Sequence, residues 1–290
     1  MKQLPFLNDA ADAPTGSDAS TQTVVLTRRT ATPAVVNPQR PAVIVPVQST
    51  SPEEIERQSR QAAATGSVDV IEWRIDQVIA SRSYGGSGHA DEHALAEVVL
   101  DLIGNVTSAG LPVLVTLRTG FEGGTAQVGE EASGPILADV IEGMSAAGHG
   151  VPIALDVEID RSRAGELIER AHEKGIAVVA SHHNFAATDS LESLGAKFAE
   201  MAKAGADVVK IAMMPQSQSD VADLLRAASS ADAGLDQPVI GISMGRLGRS
   251  SRIMGGDFGS CASFAQLGEA SAPGQIAVAT LAGMFDRLYD

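Results

Sequence analysis

The stretch Ala206-Asp-Val-Val-Lys-Ile-Ala-Met-Met-Pro215 is short, almost continuously apolar and closed by a proline, the pattern of a strand buried on both faces of a parallel sheet. Runs of that length recur at residues 42–47, 68–75, 112–118, 152–159, 176–183, 238–244 and, less clearly, 258–264, with helical patterns between them. Ser51-Pro52-Glu53-Glu54 combines an N-cap, a proline at the first helical position and early acids. The segments 161–174 and 190–204 stop at Gly175 and Gly205, as helices with C-terminal glycines do, and 273–289 supplies the last helix. Strand then helix, eight times over, argues for an α/β fold closed into a (β/α)8 TIM barrel. An open doubly wound sheet is the alternative, but neither G-x-G-x-x-G nor G-x-x-x-x-G-K-[ST] occurs.

Residues 1–22 are rich in Ala, Asp, Ser and Thr without a sustained period, and read as a flexible N-terminal tail. Residues 23–27 and 34–36 read as a short N-terminal β ribbon, so that 23–290 form one catalytic barrel domain. With 290 residues, 44% of them apolar, the chain can bury a large core. Its net charge of -15 repels nucleic acid and anionic membranes, so an anionic ligand must be held by a local group of cations. Cys261 stands alone, which excludes an internal disulfide and suits a reducing compartment; it reads as a small buried residue. No run approaches the ~18 apolar residues of a membrane span, and the start lacks an apolar signal core, so the expected location is the cytoplasm.

Lys210 sits inside the buried strand, where an unpaired ammonium is costly; it must be paired, partly neutral or chemically employed. One reading ties it to a structural carboxylate, the other makes it an amine that attacks a carbonyl. Strand parity bears on the choice, because alternate residues of a barrel strand face the helices and the interior. If Ile71, Trp73 and Ile75 face the helices, then Glu72, Arg74 and Asp76 face in. The same argument turns Thr116, Arg118, Asp156, Glu158, Ser181, His183 and Lys210 inward. Nearly all stand late in their strands, at the carboxyl ends where barrel enzymes build their sites.

Six segments carry a resemblance: Glu72-Trp-Arg-Ile-Asp76, Thr116-Leu-Arg-Thr-Gly-Phe-Glu-Gly-Gly124, Ser181-His-His-Asn-Phe185, the Lys210 strand, Ile242-Ser-Met-Gly-Arg-Leu-Gly-Arg-Ser-Ser-Arg252 and Ala270-Ser-Ala-Pro-Gly-Gln275. In this order the chain closely resembles the type I 3-dehydroquinate dehydratases of the shikimate pathway. The resemblance implies that Lys210 forms a Schiff base with 3-dehydroquinate, that His183 is the acid–base group, and that no metal or added cofactor takes part. It further implies that Glu122 orients the histidine and that Arg252 grips the substrate carboxylate. Glu72, Arg74 and Arg118 would hold the ring hydroxyls and the general geometry, Ser271 and Gln275 would belong to a closing loop, and the enzyme would be a homodimer. From sequence alone Glu122 reads as a solvated loop acid, and Ser271 as the N-cap of a helix containing Pro273. Arg246 and Arg249 read as surface charges.

Two positions depart from the family pattern. His182 stands where relatives often have tyrosine and is expected to pack toward the helices, and Pro46 falls where some relatives place a substrate-contacting serine. His89 and His93, four apart, lack a third placed ligand and are not taken as a metal site. A class I aldolase acting on a sugar phosphate would also use a barrel lysine, but it does not require these six segments together. A non-catalytic ligand-binding barrel would not need both the lysine and the histidine.

Overall fold

The computed structural model describes residues 1–7, 40–83, 91–146, 150–268 and 270–289. Its elements run β1 (Ala42–Val47), α1 (Pro52–Ala64), β2 (Val70–Arg74), α2 (Ile75–Ser83), α3 (Glu92–Thr107), β3 (Val113–Thr116), α4 (Glu130–Ala146), β4 (Ile153–Glu158), α5 (Ala164–Glu173), β5 (Ala177–Asn184), α6 (Leu191–Lys203), β6 (Val208–Met213), α7 (Gln218–Gly234), β7 (Val239–Ser243), α8 (Arg249–Met254), β8 (Ala262–Gln266), β9 (Ile276–Ala277) and α9 (Val278–Leu288). The strands are parallel, in the order β7-β6-β5-β4-β3-β2-β1-β8-β9. The cylinder closes between β7 and β8 where the Cys261 amide donates to the Val239 carbonyl at 2.8 Å and the Gly241 amide to Ser260 Oγ at 3.2 Å. This is the (β/α)8 barrel that the strand spacing predicts.

Local chemistry places the helices. Ser51 accepts from the Glu54 amide and Ser190 from the Ser193 amide, each capping the helix that follows. Gly175 and Gly205 follow α5 and α6 at φ +71° and +92°, conformations strained for any residue with a Cβ. Parity then divides the apolar residues into two clusters. Val43, Val45, Ile71, Trp73, Val113, Val115, Leu155, Val157, Val209 and Ile211 pack outward against helix residues such as Ile55, Val99, Leu167, Phe198 and Phe285. Ile44, Val70, Leu114, Ala154, Val179, Val208 and Ile240 fill the interior. They come early in their strands, so the amino half of the barrel is an apolar plug and the carboxyl half is left to polar side chains.

Three expectations are corrected. Residues 1–7 are not a loose part of the tail: Leu4 and Phe6 are buried and join the interior cluster, while Lys2 binds Asp232 on α7. The apolar triplet Leu4, Phe6 and Leu7 covers the amino mouth, which composition averaged over the tail conceals. The rest of the tail and the β ribbon lie outside the described residues. Asp76 is not on a strand, because the helix begins at Ile75. The run 258–264 is also shifted, since residues 255–258 form a 3-10 turn ended by Gly259 at φ +87°, and β8 starts at Ala262.

Candidate active site

The register of the sheet sets the polar groups side by side: Glu158 on β4 pairs with Ser181 on β5, and Ser181 with Lys210 on β6. Lys210 Nζ donates to Asp156 Oδ2 at 3.2 Å and lies 4.7 Å from the centre of the Phe264 ring. The lysine is 4% exposed, so this one ion pair and one aromatic face replace its hydration. Asp156 is shared, because its other oxygen accepts from Arg118 at 2.6 Å and from Ser181 Oγ at 2.8 Å. Burial pushes the Asp156 carboxyl up, but Arg118, Lys210 and His183 outweigh it and hold the group well below the usual carboxylate range. Burial likewise opposes the Arg118 charge and is overcome by Asp156, Glu158, Glu122 and Glu72, which raise its pKa.

His183 reaches the interior from the last turn of β5. Its Nδ1 lies 2.8 Å from Glu158 Oε2, and its backbone amide donates to Glu158 Oε1 at 3.1 Å. Burial first, then the charges of Arg118 and Lys210, press the imidazole pKa well below 6.5. A neutral ring beside a carboxylate keeps its proton on Nδ1, which leaves Nε2 as the acceptor. Glu158 is itself raised, by burial and by Asp156, against the pull of Arg118. The Phe185 ring stacks on the imidazole at 6.3 Å and 14°.

Around this centre, Arg74 is clamped by both oxygens of Asp76 at 2.7 and 2.9 Å, and Asp76 also accepts from the Thr125 amide and hydroxyl. Glu72 accepts from Thr116 Oγ1 at 3.3 Å. Arg252 is held differently. It is 2% exposed and donates to the carbonyls of Phe264 at 3.3 Å and Pro273 at 3.1 Å. Its Nε has no hydrogen-bond partner among the described residues, and no described carboxylate pairs with it. Burial alone lowers its pKa to about 10. A buried guanidinium without a counterion beside an open pocket is a site for an anion.

The pocket is lined by Glu72, Arg74, Arg118, His183, Lys210, Arg252, Ser271 and Gln275, with Met244, Phe185 and Phe264 as apolar walls. Thus the structure gathers every expected site residue except Glu122. The carboxylate on His183 is Glu158, not Glu122, which is turned away into a 3-10 turn where Thr119 binds one oxygen at 3.1 Å and Arg161 the other at 2.8 Å. Ser271 does not cap a helix, because α9 begins at Val278; it forms a small ring with Gln275, its amide on Oε1 at 2.8 Å and its hydroxyl accepting from Nε2 at 2.9 Å. Pro46 lines a neighbouring polar groove with Gln48 and Gln77, outside this pocket. Arg246 and Arg249 are exposed, as expected.

The sequence patterns say least about Asp156, Glu158, Phe264 and Arg161, which touch Lys210, His183 or Glu122. Parity did turn the two acids inward, but it cannot say which acid touches which cation. Phe264 stands in an ordinary strand, and Arg161 stands at the expected start of the 161–174 helix, whereas α5 begins at Ala164 and leaves Arg161 in the turn before it. His182 binds Asp160 and, at 3.1 Å, Asp189, and so ties two loops together. Among the described residues, Glu158, Asp160 and His182 are the group whose donors lie close enough for a cation, within 4.8 Å. Those donors already have partners in Arg118, His183, Lys197 and Asp189. His89 lies outside the described residues, and His93 is an exposed residue of α3 beside Asp139 and Glu97.

A family model for type I 3-dehydroquinase matches residues 43–289. The chain is 36% identical over 247 residues to a 3-dehydroquinate dehydratase of Lactiplantibacillus plantarum, covering 83% of this chain and 90% of that one. Its fold matches the 3-dehydroquinate dehydratase of Geobacillus kaustophilus with a TM-score of 0.74 and 27% identity, over 86% of this chain and 91% of that one. It also matches a type I 3-dehydroquinate dehydratase of Clostridium difficile with covalently modified comenic acid, with a TM-score of 0.73 and 29% identity over 86% and 93% of the two chains.

Proposed function

The chain belongs to the type I 3-dehydroquinase family, and from that premise we propose that it dehydrates 3-dehydroquinate through a Schiff base on Lys210 with His183 as the acid–base group. The overall reaction is a hydro-lyase step of the shikimate pathway: water leaves 3-dehydroquinate to give 3-dehydroshikimate. Lys210 Nζ passes a proton to His183 Nε2 and attacks the C3 ketone as the free amine; the carbinolamine hydroxyl takes that proton back from His183 and leaves as water, giving an iminium. The iminium withdraws electrons from C2, and His183 Nε2 takes a C2 proton. The resulting enamine expels the C1 hydroxyl, which leaves as water after receiving the proton held by His183. Hydrolysis of the product iminium frees Lys210.

The observation that carries the reading is the meeting in one pocket of a buried lysine, a histidine held neutral by its surroundings and an arginine with no counterion among the described residues. Asp156 supports the covalent step because its charge, divided between Arg118 and Lys210, binds the amine less tightly than a dedicated partner would. Arg252 supports a carboxylate ligand, and Glu72, Arg74 and Arg118 offer acceptors and donors for ring hydroxyls. Ser271 and Gln275 lie over the mouth and belong to a loop suited to closing it. The family resemblance further supports a homodimer, and composition supports a cytoplasmic location; no helix among the described residues is long and apolar enough to cross a membrane.

The test is borohydride reduction of the protein in the presence of 3-dehydroquinate, followed by intact mass and peptide mapping. The expected result is one adduct, on Lys210. A wild-type protein that turns over substrate without a trapped adduct would remove the Schiff base.

A further inference from the structure

Arg161, in the turn after β4, spends its whole guanidinium on the loop after β3 and the first turn of α4. Its Nε donates to Glu122 Oε1 at 2.8 Å, Nη2 to Thr119 Oγ1 at 2.6 Å and Nη1 to Ser133 Oγ at 2.5 Å. The other oxygen of Glu122 is held by Thr119 and lies 3.9 Å from Nη1 of Arg118. That same nitrogen of Arg118 bonds Glu158 Oε2, the oxygen that faces His183. Two acids therefore face one nitrogen of Arg118, and Arg161 decides how strongly one of them competes.

The loop has little freedom to absorb a change. Gly123 sits at φ +75°, and a Cβ there would fall 2.6 Å from Cζ of Phe185, the ring that stacks on His183. A Cβ on Gly124 would fall 1.8 Å from the Arg118 carbonyl oxygen. The loop is thus pressed against both the partner of Glu158 and the ring above the base.

We propose that Arg161 is a positioning residue for the base: by neutralising Glu122 it reserves Arg118 for Asp156 and Glu158, and so fixes the hydrogen bond between Glu158 and His183. The proposal rests on His183 being the base. Without Arg161, Glu122 is left with Arg118 as its nearest cation and draws it away from Glu158. His183 then loses its orientation, and one positive charge is removed from its surroundings.

In Arg161→Met, kcat should fall by at least about 10-fold and up to about 100-fold, the scale of a misplaced reacting group. KM should change little, since Arg161 does not line the pocket. The acid limb of kcat/KM should move to higher pH, because the imidazolium is less opposed. Adding Glu122→Gln to Arg161→Met removes the unbalanced charge and should return both kcat and the limb toward wild type. Arg161→Lys, which keeps the charge and loses the fork, guards against a folding failure; it should lower kcat while leaving the limb in place.

Borohydride trapping on Lys210 should persist in all three variants, whereas failure of the underlying reading would appear as untrapped wild type or as normal turnover in His183→Ala. An Arg161→Met enzyme with wild-type kcat and limb would overturn the proposal. So would a double variant no better than the single, since Glu122 would then carry a role of its own.

Discussion

On the proposed mechanism Lys210 and His183 divide the chemistry, and each can be removed separately. Lys210→Ala should abolish both the borohydride adduct and turnover, whereas His183→Ala should still form the adduct and lose roughly 10²- to 10⁴-fold in kcat, the usual worth of a placed acid–base group. The depressed imidazole pKa fixes the direction of the pH dependence. Because His183 stays neutral below 6.5, kcat/KM should remain level as pH falls through that value and decline only further down. A profile that breaks at 6.5 or above would contradict the buried, cation-flanked environment. Arg252→Met should chiefly raise KM, because a carboxylate grip acts on ground and transition states alike. Parity over five strands made most of these residues legible, since it needs only the alternation of apolar and polar positions. It could not assign the partner of His183: Glu158 and Glu122 are both acids near strand ends, and only the three-dimensional path of the loop separates them.

At the level of elements, the loop carrying Ser271 and Gln275 is fastened to the loop after β7. The Gly245 amide donates to the Pro273 carbonyl at 3.0 Å, and Gly274, at φ +78°, would place a Cβ 2.2 Å from the Gly245 oxygen. Gly274→Ala should therefore displace the loop from the mouth. Steady-state kinetics should show kcat/KM reduced by about 10-fold or more, with borohydride adduct formation slowed and the melting temperature little changed. The sequence signals for elements worked where the chemistry is local. Ser51, Pro52 and Gly175 each act within a few residues, and they mark the ends of α1 and α5 correctly. They failed at 258–264 and 273–277, where Phe258 ends a 3-10 turn and Ile276 and Ala277 form a two-residue strand set by pairing with the non-local β8.

For the whole molecule, the amino mouth is closed by Leu4 and Phe6, which composition alone assigned to a tail. Each buried side chain of this size is worth about 1.5–3 kcal/mol gross, much of it offset by ordering the segment. Deleting residues 1–7 should lower the melting temperature by about 2–4 °C and leave kcat near wild type, as differential scanning fluorimetry and initial rates would show. Acid should also weaken the fold early. Unfolded chains protonate His183 below 6.5 while the native state resists, so stability should drop from that pH downward, and further as Asp156 is titrated. The global charge of -15 was readable from composition, but it hides the cationic pocket, because a handful of inward residues hardly alters the sum.

Arg252 gives that pocket a thermodynamic consequence beyond catalysis. A guanidinium sealed away from solvent with no counterion among the described residues leaves the pocket short of a negative charge, which on the proposed function the substrate's carboxylate would supply. Small carboxylic acids that never react should therefore raise the thermal midpoint, and folding and turnover here draw on the same borrowed negative charge.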